Sequence, residues 1–86
     1  MPLFKITFER LSEIENIETI GKIKSRSKRD WLNQNHGKSR WIYKKGTAQV
    51  KLEDESHWIA EVHFYTAHGK GRYLEEVKYL LERVYE

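Results

Sequence analysis

The sequence contains no cysteine, a single proline and no apolar run long enough to span a bilayer. Without cysteine, neither a disulfide framework nor a thiolate zinc site can form. Without ~18–20 consecutive apolar residues a transmembrane helix is excluded, and the N-terminus lacks the pattern of a signal peptide. We therefore expect a soluble, cytoplasmic protein, and the 86 residues fit a single domain, residues 1–86.

Acidic residues are almost absent from the second quarter of the chain. Residues 22–45 hold nine of the sixteen basic residues and only one acid, Asp30. This window carries a formal charge of +8, whereas the remaining residues, with seven basic and twelve acidic side chains, carry −5. The basic residues of the window are Lys22, Lys24, Arg26, Lys28, Arg29, Lys38, Arg40, Lys44 and Lys45.

This segregation of charge indicates a polyanionic partner, because a merely solvated surface usually mixes both signs. Trp31 lies inside the window and could stack on a base, or be buried under the sheet edge. The leading hypothesis is a small basic protein that binds nucleic acid, RNA or DNA, through phosphate contacts of residues 22–45 beside an open sheet face. An acidic protein is an alternative partner, since Coulomb attraction does not depend on what carries the negative charge.

Alternating hydrophobicity predicts two strands, at residues 3–9 and at residues 57–65. The second is the stronger, and we expect it to pair antiparallel with residues 47–53, with Trp58 opposite Leu52. Its other side is polar and should face away from the core. The predicted core-facing residues of this strand are Trp58, Ala60, Val62 and Phe64.

The segment at residues 10–37 is open to two interpretations. Isoleucine recurs every third residue from Ile14 to Ile23, which fits one side of a helix. Gly21 weakens that helix, and a strand over residues 17–24 is the alternative.

A short helix is predicted at residues 28–35. Ser27 can serve as its N-cap with Asp30 three residues later, and Gly37 is a suitable stop. This helix would carry part of the basic window.

Residues 40–52 are predicted to form a hairpin. Lys45 and Gly46 would make its two-residue turn, with glycine at the second position as a type I′ turn prefers. This turn pairs Lys44 with Thr47. The apolar face of the hairpin would carry Trp41, Tyr43, Ala48, Val50 and Leu52.

A final helix is predicted at residues 73–85, where apolar residues fall on one helical stripe. That stripe comprises Tyr73, Leu74, Val77, Leu80, Leu81 and Val84. The predicted fold class is therefore α+β: a small antiparallel sheet of about four strands, in the order β-(α)-β-β-β-α, with helices packed on one face. The other sheet face would be free to bind a ligand.

The predicted free face gathers residues able to perform acid–base chemistry. Glu61 and His63 lie two apart on one strand face, and the hairpin would bring Lys44 beside them. A carboxylate, an imidazole and a cation suffice for metal-independent cleavage of RNA, so a toxin-like endoribonuclease using these three residues is the alternative function. The full set on this face would be Lys44, Thr47, Gln49, Glu61, His63 and Tyr65.

No metal or cofactor is expected. His57 and His63 share a strand face but lie roughly 20 Å apart at ~3.3 Å per residue, and no His-x-His or His-Glu-x-x-His spacing occurs.

A glycine-rich loop at residues 68–72 would precede the last predicted helix. Glycines allow close approach of the backbone, and a helix N-terminus favours an anion. Lys70 and Arg72 of this loop therefore join the predicted phosphate contacts, although a plain strand-to-helix turn would explain the glycines as well.

Residues 57–72 also carry a resemblance to known sequences. A strand that begins His57-Trp58 leads into a turn of the form Tyr-x-Ala-His-Gly-x-Gly, here Tyr65 to Gly71, followed by Arg72. This segment resembles a C-terminal segment of uncharacterised bacterial prophage and toxin-associated proteins. The resemblance implies an association with mobile elements and a toxin-like or nucleic-acid role. A third hypothesis follows, a phage or mobile-element protein-interaction module or inhibitor.

Overall fold

Residues 6–85 form five strands and one helix in the order β-β-α-β-β-β. A computed structural model describes residues 6–85. Its elements are β1 (Phe8–Arg10), β2 (Glu15–Lys22), α1 (Arg26–His36), β3 (Ile42–Leu52), β4 (His57–Thr66) and β5 (Tyr73–Val84). An antiparallel sheet with a helix agrees with the α+β class, but the sheet has five strands and the predicted element order is wrong at the C-terminus.

The long strand β3 lies at the centre of the sheet. It pairs on one side with β4, and on the other with both β1 and β2, while β5 extends the sheet beyond β4. All pairings are antiparallel. The predicted antiparallel pairing of β4 with the strand before it is confirmed, but the register differs by two residues, because Trp58 lies opposite Val50 and not Leu52.

The predicted hairpin turn at Lys45 and Gly46 is wrong, because β3 runs through both residues without a break. The glycine has a different use. A Cβ placed on Gly46 would overlap Ile14 Cγ2 and would lie 2.7 Å from the backbone oxygen of Glu15. Glycine within a strand often marks such a close approach. Gly46 therefore lets the start of β2 pack tightly against the middle of β3.

The predicted C-terminal helix is also wrong, because β5 is a strand with repeated bulges. Relative to β4, its register shifts three times, so extra residues are inserted along β5. Val77 and Leu80 consequently lie opposite Val62 and Ala60 with a spacing of three residues. Bulges of this kind leave the inserted residue unpaired and bend the strand. Apolar residues that recur every third position in a bulged strand therefore give the same sequence pattern as the apolar stripe of a helix.

The two faces of β3 and β4 divide into an inner face of even-numbered residues and an outer face of odd-numbered residues. The inner face holds the main core, and the predicted core positions Ala60, Val62 and Phe64 are each at most 1% exposed. Trp58 is half-buried at the margin of this core. The buried members of the cluster are Ile14, Ala48, Val50, Ala60, Val62, Phe64 and Val77.

Contacts between the outer strands show how the sheet bends around this core. Arg10 of β1 and Glu75 of β5 are separated by two strands, yet Arg10 Nε lies 3.1 Å from a carboxylate oxygen of Glu75. Arg72, just before β5, stacks over Phe64 and lies 3.9 Å from Glu13. The bulges of β5 account for the bend, because they increase strand twist.

The predicted helix at residues 28–35 is confirmed as α1, although its N-cap is Ser25 and not Ser27. The Ser25 hydroxyl accepts from the Lys28 backbone N–H, and Gly37 ends the helix with a φ of 89° that favours glycine. Leu32 is fully buried and anchors the helix. It packs in a second cluster with Trp41, Tyr65 and Ala67.

For the isoleucine-rich segment the strand interpretation is confirmed, because Ile17 and Ile20 lie in β2. Both side chains are exposed to solvent. The predicted first strand is confirmed only in its last part. Phe8 and Glu9 belong to β1, whereas residues 3–5 lie outside the described residues.

Candidate functional site

The outer face carries a hydrogen-bonded chain of three side chains. On β3 and β4, Tyr43 pairs with Tyr65, and Thr47 with Glu61. Between these pairs, the Tyr43 hydroxyl lies 2.6 Å from His63 Nδ1, and His63 Nε2 lies 2.7 Å from Glu61 Oε2. We call this arrangement the Tyr43–His63–Glu61 chain. Strand alternation produces it, because residues two apart on a strand share a face.

The chemistry of the end groups fixes the direction of the hydrogen bonds. An ionised carboxylate can only accept, so His63 Nε2 carries the proton and donates to Glu61. In the neutral imidazole, His63 Nδ1 then has a free lone pair and accepts from the Tyr43 hydroxyl. Carboxylate, imidazole and hydroxyl therefore form a continuous path along which a proton can move from the phenol to the imidazole.

A second cluster borders this chain on β5. Glu76 pairs with His63 across the strands, and its carboxylate lies 3.2 Å from Lys28 Nζ and 3.3 Å from Lys78 Nζ. Burial raises the pKa of Glu76, but the hydrogen bonds and charges of Lys28 and Lys78 outweigh it, so the pKa lies below its ordinary value. Two cations share one carboxylate here, and Lys28 also lies over the ring of Tyr65 at 5.7 Å.

Both tyrosines of the site stay neutral at physiological pH. Burial raises the pKa of Tyr43 above its ordinary value, against an opposing effect of the nearby Lys78 ammonium. Burial and the charge of Glu76 raise the pKa of Tyr65. The two rings stack at 4.8 Å between centroids. A neutral phenol can donate a hydrogen bond, which is the role the Tyr43 hydroxyl takes toward His63.

Of the three predicted acid–base residues, the structure brings two together. His63 and Glu61 are in contact, but Lys44 pairs with Phe64 and lies on the inner face. The wrong turn at Gly46 is the cause, because a continuous strand puts Lys45, not Lys44, on the outer face. Lys45 pairs with His63 in the register, and its ammonium lies 3.8 Å from Glu18.

The Tyr43 hydroxyl is a member of the site that sequence reasoning missed. The hairpin assigned Tyr43 to the apolar face with Ala48 and Val50. In an unbroken strand, odd-numbered residues from Tyr43 onward share the face of Thr47 and Gln49. The polar run at odd positions of residues 43–49 is a signal that could have identified this face.

A cleft of about 180 Å³ opens beside Glu61. It is lined by Asn16, Glu18, Lys45, Gly46, Thr47 and Glu61. The Asn16 amide donates to the Thr47 hydroxyl at its margin. The carboxylate end of the Tyr43–His63–Glu61 chain is thus accessible from this side.

The basic window divides into engaged and free cations. Lys28 and Lys45 form the ion pairs described above, and Lys44 is half-buried on the inner face. Within residues 6–85, no carboxylate lies within 4 Å of six other basic side chains, all exposed to solvent. We call this set the free basic segment. Its members are Lys22, Lys24, Arg26, Arg29, Lys38 and Arg40.

Along the chain, the free basic segment lies within α1 and on both sides of it. Arg26 and Arg29 lie one turn apart on the helix and are therefore neighbours on its surface. Trp31, the predicted stacking residue, is 44% exposed and meets the ring of His36 edge-on at 5.3 Å. Its remaining surface is open to a ligand.

The predicted phosphate site in the loop at residues 68–72 is not supported, because a strand and not a helix follows the loop. Lys70 serves another purpose. Its ammonium donates to the backbone oxygen of His36 at 2.6 Å, where a cation neutralises the carbonyl end of α1. Arg72 is engaged with Glu13 and Phe64, as described above. Both residues have partners within the described chain, and neither belongs to the free basic segment.

Comparison with known proteins gives no relative, since no family model, curated protein or solved structure matches the chain. Within residues 6–85 the single helix, α1, is too short and too polar to cross a membrane. In the same residues, no three side chains of the metal-binding types converge. The geometry of the outer face and of the free basic segment is therefore the basis for a proposal of function.

Proposed function

We propose that the protein binds nucleic acid, RNA or DNA, through the free basic segment around α1. The observation that carries this proposal is a contrast between cations. Six of the nine other cations among residues 6–85 form ion pairs with carboxylates, whereas the six of the free basic segment have no carboxylate within 4 Å in that part of the chain. The ion-paired set is Arg10, Lys28, Lys45, Lys51, Arg72 and Lys78.

Cations without internal partners can bind the phosphates of a nucleic acid. Each phosphate contact releases condensed counterions, which supplies most of the free energy of non-specific binding. Trp31 beside the segment adds an aromatic surface on which a base can stack, worth roughly 1–3 kcal/mol in single-stranded complexes. A cytoplasmic location, as expected from the sequence, would expose the protein to such ligands.

The experiment is a salt titration of binding to labelled single- and double-stranded RNA and DNA. Changing Arg26, Arg29, Lys22 and Lys24 together to Ala should weaken binding to every ligand. Removal of each phosphate contact should lower the slope of log affinity against log salt by roughly 0.7–0.9. The slope is diagnostic, since a purely structural defect would change affinity without a proportionate change in its salt dependence.

The matched control removes cations that already have carboxylate partners. Lys51→Ala combined with Lys45→Ala lowers the net charge, yet both ammonium groups already have partners. We expect this control to retain most of the affinity. If the wild type binds no nucleic acid at low salt, the proposal is wrong. It is also wrong if the control weakens binding, per positive charge removed, as much as the variant that lacks Arg26, Arg29, Lys22 and Lys24. Capture of an acidic protein in place of nucleic acid would point to the protein-interaction alternative.

A further inference from the structure

We infer that the Tyr43–His63–Glu61 chain is a proton relay that cleaves RNA, with the Tyr43 hydroxyl as the group that contacts the substrate. This activity rests on the proposed binding of nucleic acid and adds a reaction to it. The geometry points to it, since a half-buried imidazole is held between a carboxylate at 2.7 Å and a phenol at 2.6 Å.

The direction of the relay follows from the hydrogen bonds. Glu61 fixes the proton of His63 on Nε2 and leaves Nδ1 as the acceptor for Tyr43. In this state His63 Nδ1 can take the proton of the Tyr43 hydroxyl at the moment when the Tyr43 oxygen receives a proton from the substrate. Glu61 and His63 are therefore positioning residues that act through Tyr43, with the logic of a carboxylate–imidazole–hydroxyl triad.

The neighbouring charges suit a phosphodiester. Lys28 and Lys78 both act electrostatically on the Tyr43 phenol. They share the single carboxylate of Glu76, so this cluster carries an excess of one positive charge. A phosphate that approaches the Tyr43 hydroxyl would be attracted by this excess, and the charge that develops on phosphorus oxygens during cleavage would be stabilised.

RNA is the substrate class because its 2′-hydroxyl, next to the phosphodiester, can serve as the nucleophile. The 2′-hydroxyl gives its proton to the Tyr43 oxygen while the phenolic proton passes to His63 Nδ1. The 2′-oxygen then forms a bond to phosphorus, and the bond between phosphorus and the 5′-oxygen breaks. The leaving 5′-oxygen takes a proton from water, and the imidazolium returns its proton to the hydroxide so formed. The products are a 2′,3′-cyclic phosphate and a 5′-hydroxyl.

The test compares two phenols on the strands that flank β4. Tyr43→Phe removes the hydroxyl of the relay, whereas Tyr79→Phe removes an exposed hydroxyl from the strand position opposite Glu61. Both variants and the wild type are incubated with a labelled RNA in the presence of EDTA, and binding of each is measured in parallel. General acid–base groups contribute about 10²–10⁴-fold, so Tyr43→Phe should cleave at least about 100-fold more slowly. Tyr79→Phe should match the wild type.

Two further readouts test the nucleophile and the direction of the relay. An RNA with one 2′-deoxy residue should resist cleavage at that position. Nitrogen NMR of the intact wild-type protein should show His63 protonated on Nε2 and unprotonated on Nδ1. Cleavage at the deoxy position, a covalent phosphate on Tyr43 or a proton on Nδ1 of the neutral ring would overturn the inference.

The outcomes also distinguish cleavage from binding. If the wild type binds RNA with the salt dependence described above but leaves it intact, the relay is wrong and the binding function stands. If Tyr43→Phe cleaves as fast as the wild type, the relay is again wrong. If the wild type neither binds nor cleaves, both proposals fail.

Discussion

The two faces of β4 are built from alternate residues of one strand, yet they differ in solvent exposure. On the inner face, Ala60 and Val62 have no solvent exposure. On the outer face, Glu61 and His63 retain 23% and 13% of their side-chain exposure and are joined by a hydrogen bond. Fully buried and solvent-accessible side chains thus alternate at single residue steps from Ala60 to His63 along β4. Substitutions of the buried inner-face residues should therefore unfold the protein, whereas substitutions of Glu61 or His63 should cost far less stability.

The largest effect is expected for Phe64→Ala. The Phe64 side chain is 1% exposed and is among the largest fully buried in the described chain. Its removal leaves a cavity in the inner core, and such changes cost about 3–5 kcal/mol. The free energy of unfolding of a domain of this size is small. We therefore expect a urea midpoint near zero or loss of the folded state.

Tyr79→Ala is the control for that substitution. Tyr79 is an aromatic residue on the neighbouring strand but is 62% exposed. Exposed substitutions usually change the free energy of unfolding by no more than about 0.5 kcal/mol. Equal losses in the two variants would show that the inner face is not the main source of stability.

A smaller loss is expected for Gly46→Ala. The new Cβ would contact Ile14 Cγ2 and the backbone oxygen of Glu15 at distances that real Cβ atoms do not adopt. Because the oxygen belongs to the backbone, β2 has to shift, and overpacking of this kind costs about 1–3 kcal/mol. Urea unfolding followed by circular dichroism measures the loss.

Gly71→Ala is the matched control, since a Cβ there would meet no atom within 4 Å. We expect it to leave stability unchanged or slightly raised, as removal of a glycine restricts the unfolded chain. A Gly46→Ala protein as stable as the Gly71→Ala protein would contradict the close packing of β2 on β3.

The contrast between the faces also bears on how much of the fold the sequence could reveal. Strand β4 and its antiparallel partner were predictable, because Trp58 to Phe64 alternate cleanly and no bulge interrupts β3 opposite them. Helix α1 was predictable from its stop residue, Gly37, and from the serines near its start, although the N-cap is Ser25 and not the predicted Ser27. The strand β5 was not, since its repeated bulges replace the period of two by a period of three. Nothing local distinguishes that period from a helix.

The candidate site was predictable to the same extent. Glu61 and His63 were expected to be neighbours, because both lie on one strand with a clear alternation. Tyr43 was not assigned to them, since its face depends on whether Gly46 turns the chain or continues it, and the polar run at odd positions of residues 43–49 was the one local sign of a continuous strand. That choice is decided by the approach of Ile14, a contact distant in sequence. Lys28 is also placed at the site by a contact distant in sequence, its ion pair with Glu76 on β5.

The smallest expected effect concerns the outer face and its response to acid. Because the pKa of Glu76 in the folded protein lies below the ordinary value of 4.5, its contribution to stability is complete above that value. The contribution is lost as pH falls through the lower folded-state pKa. Ion pairs with this degree of exposure contribute about 0.2–1 kcal/mol. Glu76→Gln should therefore lower stability at pH 7 by about that amount and should lose less on acidification than the wild type.

Glu82→Gln is the control for this prediction, since Glu82 is an exposed carboxylate of the same strand and the same face. Urea midpoints of the three proteins at pH 7 and pH 3 give the comparison. The Glu82→Gln protein should follow the wild type at both values, because its exposed carboxylate is surrounded by water in both the folded and the unfolded chain. If Glu76→Gln also follows the wild type at both values, Lys28 and Lys78 do not stabilise the Glu76 carboxylate. Their positive charge would then be free for a phosphate without competition from Glu76.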